Sequence, residues 1–181
     1  MTRNECLIEG VTLREKNFFP DKRGFFEPVF RRLEPRYGMF EENLSVSRRR
    51  VLRGLHYQLK APQQKRVWVT KGVIFDVTAD IRLGSPTYGK WLGVILTAEN
   101  HRELTIPAGL AHGFCVLSRV AHVFYECTPA YNPADQHGLR WDEPTFDIFW
   151  PVRFPILSKS DINWPYLVTL SPDELPHYTK G

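Results

Sequence analysis

Paired cysteines are missing from this chain. Its three cysteines, Cys6, Cys115 and Cys127, form an odd, scattered set with no Cys-x-x-Cys spacing. That excludes a disulfide framework and the common zinc sites built on such pairs. Long apolar runs are missing too. No stretch approaches the roughly 18 apolar residues of a membrane span, and the first residues carry no apolar run. A soluble, cytoplasmic protein with no membrane partner is the expectation. Basic runs stop at Arg48-Arg49-Arg50, although net charge is +4 and the pI is about 9.0. So small a surplus does not suit nucleic acid, and it fits a small anionic ligand. Repeats and low-complexity segments are absent. The 14 prolines break up any long helix. One short helix is expected over residues 32–37, where Pro35 limits it.

Strand signals fill most of what remains. An Asp21-Lys22-Arg23-Gly24 turn precedes Phe25-Phe26. Residues 66–70 and 73–81 are rich in β-branched and aromatic side chains, with Lys71-Gly72 between them read as a hairpin turn. Gly84-Ser85-Pro86 breaks the chain, and further strands are expected at 91–96, 103–106, 113–117 and 121–127. Many short strands with Gly/Pro turns give an all-β sandwich or barrel. At 181 residues the chain is expected to be one domain. From about residue 151 five prolines mark an irregular wrap, with room for a short terminal helix.

Strand parity places the chemistry. Tyr125 shares a face with Val123 and Cys127, and Lys65 shares one with Val67 and Val69. Both polar tips are therefore expected inside a barrel or at its mouth. An interior lysine among valines is costly unless it meets an anion. At a strand end it could equally snorkel to water. His56 follows Arg53-Gly54-Leu55 in a strand-like run. Its imidazole is the side chain best suited to moving protons near neutral pH. Arg53 and His56 are three apart, so a regular strand would put them on opposite faces. A bulge at Gly54 would bring both to one site.

The motifs form an ordered series. Asp21-x-Arg23-Gly24-x-Phe26 comes first, then Asn43-x-Ser45-x-Ser47 and the run from Val51 to Gln58. Gln64-Lys65-x-Val67, Gly72-x-x-x-Asp76-Val77 and Asp80-Ile81-Arg82-x-x-Ser85-Pro86-Thr87 follow. Ile106-Pro107-Ala108-Gly109-Leu110-Ala111-His112-Gly113-Phe114, Tyr125, Tyr131, Trp141 and Ile156-Leu157-Ser158-x-x-Asp161 close it. Together they resemble the dTDP-4-dehydrorhamnose 3,5-epimerase family from about residue 7 to residue 165.

That resemblance implies a cupin-type jelly-roll β-barrel with short peripheral helices. It implies a homodimer whose N-terminal strand region reaches the neighbouring site. Most cupins hold a metal through a His-x-His pair, a carboxylate and a later histidine. Here Tyr57 and Gln58 follow His56, and no cofactor or metal is expected. The implied substrate is a nucleotide-diphosphate-linked 4-keto-6-deoxy sugar, inverted at C3, C5 or both. The implied base is His56, with Asp161 fixing its tautomer, Lys65 stabilising an enolate and Tyr125 donating the proton from the opposite face. Arg23, Phe26, Asn43, Arg53 and His112 map onto nucleotide- or sugar-binding positions, and Tyr131 onto the acid side. Arg82 suits a structural or a functional role equally. His101, His122, His137 and His177 match no role and read as surface or packing residues, and Arg48–Arg50 as solvated.

The chain departs from the family pattern near the nucleotide. Pro28 stands where a glutamate is usual, and Glu27, the substitute binding residue, sits one place early. Such a shift moves a strand side chain to the other face. Glu41, Gln136 and Ser160 replace the usual glutamine, glutamate and lysine. Competing readings are a 3- or 5-mono-epimerase on a dTDP- or CDP-linked sugar, a 3,4-ketoisomerase-like enzyme, and a non-catalytic or metal-binding cupin.

Overall fold

The computed structural model describes residues 8–28 and 41–180. Cys6 and the helix expected over 32–37 lie outside these residues. In chain order the strands are β1 (Thr12–Glu15), β2 (Phe19–Asp21), β3 (Gly24–Phe26), β4 (Glu41–Arg48), β5 (Leu52–Gln58) and β6 (Gln64–Lys71). They continue with β7 (Val73–Ala79), β8 (Trp91–Thr97), β9 (Arg102–Ile106), β10 (Ala111–Val116), β11 (Val120–Thr128) and β12 (Gln136–Gly138). One five-stranded sheet runs β1-β9-β6-β11-β4, the other β12-β5-β10-β7-β8, and β2-β3 forms a separate hairpin. The strand pairings are antiparallel. This is the all-β jelly roll that the strand pattern and the resemblance imply.

Val67 and Val69 of β6, Val123 of β11, Ile74 of β7 and Phe114 and Val116 of β10 meet in the core between the sheets. The second sheet is buried on its outer face as well. There Leu52, Leu55, Val77 and Cys115 pack under Leu139, Phe146, Trp150 and Leu167. Every residue of β10 is consequently buried. The Pro-rich tail is therefore a cover for this sheet, and it carries a short α-helix, α1 (Lys159–Asn163), and 3-10 turns at Leu167–Thr169 and Pro172–Glu174.

Two expectations change. Lys71-Gly72 is not a hairpin turn, because β6 and β7 belong to different sheets. Gly72 carries the chain across the sandwich at φ 83, and a Cβ there would lie 2.2 Å from the Val120 carbonyl oxygen. Arg50 is not simply solvated. Its guanidinium donates to the Phe154 carbonyl, and its own carbonyl accepts from Ile156 N–H at 2.7 Å. Arg82, left open above, is structural. It is buried against Asp80, whose carboxylate also accepts from Ser85 and Thr87.

β5 departs from a regular ladder. His56 pairs with His112 and Arg53 with Phe114, so Gly54 and Leu55 together oppose Gly113. This bulge resets parity and brings Arg53 and His56 to the same cavity. Gly54 sits at φ 125, and a Cβ there would lie 2.6 Å from the Gly113 Cα. No side chain fits without moving one strand. Gly54→Ala should therefore lower folding stability by about 1–3 kcal/mol. Urea denaturation checks this, and an unchanged midpoint would show that the strands part freely here.

Candidate active site

The two sheets enclose a cavity of about 480 Å³. The second sheet contributes Arg53 and His56 from β5 and His112 from β10. The first contributes Asn43 from β4, Lys65 from β6, and Tyr125 and Cys127 from β11. Tyr131, in the loop after β11, and Ser158 and Asp161, at the start of α1, add to the lining. His56 and Tyr125 thus stand on different sheets with the cavity between them.

The His56 ring donates through Nε2 to Asp161 Oδ1 at 2.6 Å. In the neutral ring this leaves the other nitrogen unprotonated. Burial alone would raise the Asp161 carboxyl. Hydrogen bonds from His56 and Ser158 outweigh it and hold Asp161 below its ordinary carboxylate range. Asp161 is placed by its helix start. Ser158 caps α1, accepting Asp161 N–H at 3.1 Å and donating to Asp161 Oδ2 at 2.7 Å.

Lys65 lies directly across from Cys127 in the β6–β11 register, on the face of Val67 and Val69. Burial lowers its pKa, and Cys127 and Asp76 offset part of that. Burial likewise raises the Cys127 thiol, and the Lys65 charge opposes it. Tyr125 is raised by burial, with Arg53 pulling the other way, so its phenol holds its proton firmly. Arg53 Nε donates to Ser47 Oγ at 3.0 Å, which aims the guanidinium along the cavity wall.

The cavity brings together His56, Lys65, Tyr125, Asp161, Asn43, Arg53, His112 and Tyr131. It does not bring in Arg23, Phe26 or Glu27 of the same chain. Arg23 is exposed and paired with Asp21 at the β2–β3 turn, and the Phe26 ring is 69% exposed. Glu27 is held by Lys16 and by His101 Nδ1, the latter at 2.6 Å. These two partners leave its carboxylate unavailable to the chain's own cavity. His101 is thus a packing residue, stacked on Phe18 at 3.9 Å. His137 stacks on Tyr57 at 5.4 Å.

Sequence reasoning passed over Asp76. It is wholly buried in β7, and both carboxylate oxygens accept from His112 Nε2, at 3.0 and 2.9 Å. A carboxylate inside the apolar run Val73–Ala79 was its signal, since a buried charge needs a partner. Gln58 and Gln63 were also passed over. Gln58 Oε1 accepts Asn132 N–H and Gln63 Nε2 donates to the Pro129 carbonyl, so both brace the Tyr131 loop. The same loop meets two of the departures noted above. Glu41 accepts the Tyr131 N–H, and Gln136 accepts the Tyr131 hydroxyl. Among the described residues, no three His, Cys, Asp or Glu side chains converge as a metal ion would require.

Residues 5–169 match the family described as dTDP-4-dehydrorhamnose 3,5-epimerase. A Neisseria gonorrhoeae protein of that name is 45% identical over 169 residues, covering 87% of this chain and 50% of that protein. The chain thus spans half the length of this relative. The dTDP-6-deoxy-D-glucose-3,5-epimerase of Legionella pneumophila, solved with dTDP-4-keto-L-rhamnose, is 39% identical with a TM-score of 0.92 over 99% of each chain. A 3'-monoepimerase from Streptomyces bikiniensis, solved with dTDP-quinovose, is 34% identical with a TM-score of 0.89, covering 98% of this chain and 93% of that one. The ordered motifs, the jelly roll and these likenesses agree, and the chain belongs to the dTDP-4-dehydrorhamnose 3,5-epimerase family of isomerases.

Proposed function

We propose that this chain epimerises a dTDP-linked 4-keto-6-deoxy sugar, converting dTDP-4-dehydro-6-deoxyglucose to dTDP-4-dehydrorhamnose for deoxysugar synthesis in the cytoplasm. The observation that carries the mechanism is the placement of His56–Asp161 on one wall and Tyr125 on the other. The C4 ketone acidifies the protons on C3 and C5. His56 takes one of them, and the bonding pair moves to O4 as an enolate. Asp161 stabilises the imidazolium that forms. Lys65, in a water-poor wall, meets the charge on O4, where such a contact is worth most. Tyr125 then gives its proton to the opposite face of the carbon, which inverts it. Solvent reprotonates the phenolate and takes the proton from His56.

Arg53, Asn43 and His112 hold the diphosphate and sugar. Asp76 fixes the His112 ring, and Tyr131 shapes the acid side. Arg23, Phe26 and Glu27 lie on an arm outside the chain's own cavity, so in this reading the arm serves the neighbouring subunit of a homodimer. Arg23 and Phe26 there contact the nucleotide, while Glu27 anchors the arm. The dTDP-sugar complexes of the Legionella and Streptomyces proteins support thymidine over cytidine.

A mono-epimerase is the second reading, favoured by the likeness to the Streptomyces 3'-monoepimerase. Turnover in D2O separates the two. Each inversion replaces a carbon-bound proton with one from solvent, so double inversion labels C3 and C5. Label and inversion at a single carbon would move the chain to the mono-epimerases, and no label with any 4-keto substrate would end the epimerase reading. His56→Ala should lower turnover by at least roughly 100-fold, as loss of a general base typically does. Near-normal turnover would remove His56 from the mechanism. Activity should also survive exhaustive chelation. A loss reversed by a divalent cation would show that a metal takes part.

A further inference from the structure

We infer that Ser158 is a positioning residue for the base, the third member of a hydrogen-bonded chain Ser158–Asp161–His56. This rests on the reading of His56 as base. The Asp161 carboxylate accepts from two side chains: His56 Nε2 at 2.6 Å on Oδ1 and Ser158 Oγ at 2.7 Å on Oδ2. His56 is itself aimed by the Gly54–Leu55 bulge, so the hydrogen-bonded chain runs from the start of α1 to that bulge.

Ser158 acts on Asp161 twice, because its hydroxyl also accepts the Asp161 N–H at 3.1 Å. That double contact has work to do. α1 is only five residues long, and a helix so short does not hold itself in place. Upstream, the segment is tied to the start of β5. Ile156 N–H donates to the Arg50 carbonyl at 2.7 Å, and Leu52 N–H donates to the Ile156 carbonyl at 3.0 Å. Between this tie and His56, Ser158, whose Oγ also shares a hydrogen bond with Ser160 Oγ at 2.8 Å, is the side chain that engages the second carboxylate oxygen. With Oδ2 occupied by the hydroxyl, Oδ1 is left for the imidazole. The hydroxyl also withdraws charge from the carboxylate, which helps keep it ionised.

Ser158→Ala and Ser158→Thr test this in the full chain. Removing the hydroxyl takes away one of the bonds that hold Asp161 low. The Asp161 carboxylate becomes more basic and holds the His56 N–H more tightly, and the acid limb of the kcat/KM profile should move up. In Ser158→Ala, kcat should fall about 10- to 100-fold, the loss expected from misplacing a reacting group. KM should change less than kcat, because Ser158, although it borders the cavity, acts on the carboxylate behind the base. Ser158→Thr should restore both kcat and the profile.

A second readout needs no turnover. The His56 ring N–H proton bound to Asp161 is observable by proton NMR in the ligand-free protein and is identified by its loss in His56→Ala. Its resonance should move in Ser158→Ala and return in Ser158→Thr. A lower melting temperature with an unmoved resonance, profile and kcat would leave Ser158 as a helix cap alone and overturn the proposal. Failure of Thr to rescue would overturn it too. If the wild type labels no 4-keto substrate, the functional reading fails, while the NMR comparison still decides whether Ser158 sets the His56–Asp161 bond.

Discussion

A strand of strict period two cannot present both Arg53 and His56 to one cavity. The whole site depends on how β5 escapes that rule. Gly54 and Leu55 together oppose Gly113, and the extra residue returns side-chain parity to the cavity. Two glycines facing each other let the backbones approach to a distance no Cβ would allow. The same bulge sets His56 beside His112 across the ladder. A local irregularity of the backbone thus gathers a guanidinium, an imidazole and its carboxylate partner at one wall.

Burial then sorts the charges. Lys65 is pushed toward neutrality by burial, and Asp76 is a nearby counter-charge that resists it. Asp76 is itself tied to His112. On the opposite side of the acid–base problem, burial keeps the Tyr125 phenol protonated while hydrogen bonds keep Asp161 ionised. A proton donor and a proton acceptor therefore coexist in one cavity because their surroundings shift them apart. The jelly roll makes that possible. Its sheets are antiparallel and face each other, so groups on β5 and β11 stand on opposite walls of the cavity.

Much of this was legible in the chain, and the reasons differ by residue. The strands from Val73 onward follow from β-branched and aromatic runs between Gly/Pro breaks. The inward faces of Lys65 and Tyr125 follow from parity with buried valines. The Gly54 bulge follows from requiring Arg53 and His56 in one place. The Gly72 crossing was not legible, because a two-residue Lys-Gly link between strands reads as a hairpin whether the strands pair or part. Only the sheet order separates the two. The second sheet also hides its alternation, since the Pro-rich tail covers its outer face and leaves β10 apolar or enclosed on both sides. Asp161 was legible only through family resemblance. Taken alone, a carboxylate three residues after a serine is a helix-start residue, and the structure shows that it is this as well.

Glu27 shows how a one-residue displacement is absorbed. A glutamate one place early on a strand would face away from its usual target, but Glu27 lies just past β3 and is free of that parity. Here the carboxylate has found Lys16 and His101 instead, both largely enclosed. Lys16 N–H meanwhile donates to the His101 carbonyl at 2.7 Å, and the His101 ring stacks on Phe18. A two-stranded hairpin is marginal on its own in water. These contacts give β2–β3 a firm base on the body of the molecule, while Phe19, Phe25 and Phe26 stay at least 60% exposed. In the homodimer proposed above, the neighbouring chain would cover these rings, and the Arg23 guanidinium would exchange Asp21 for the anion of a bound nucleotide.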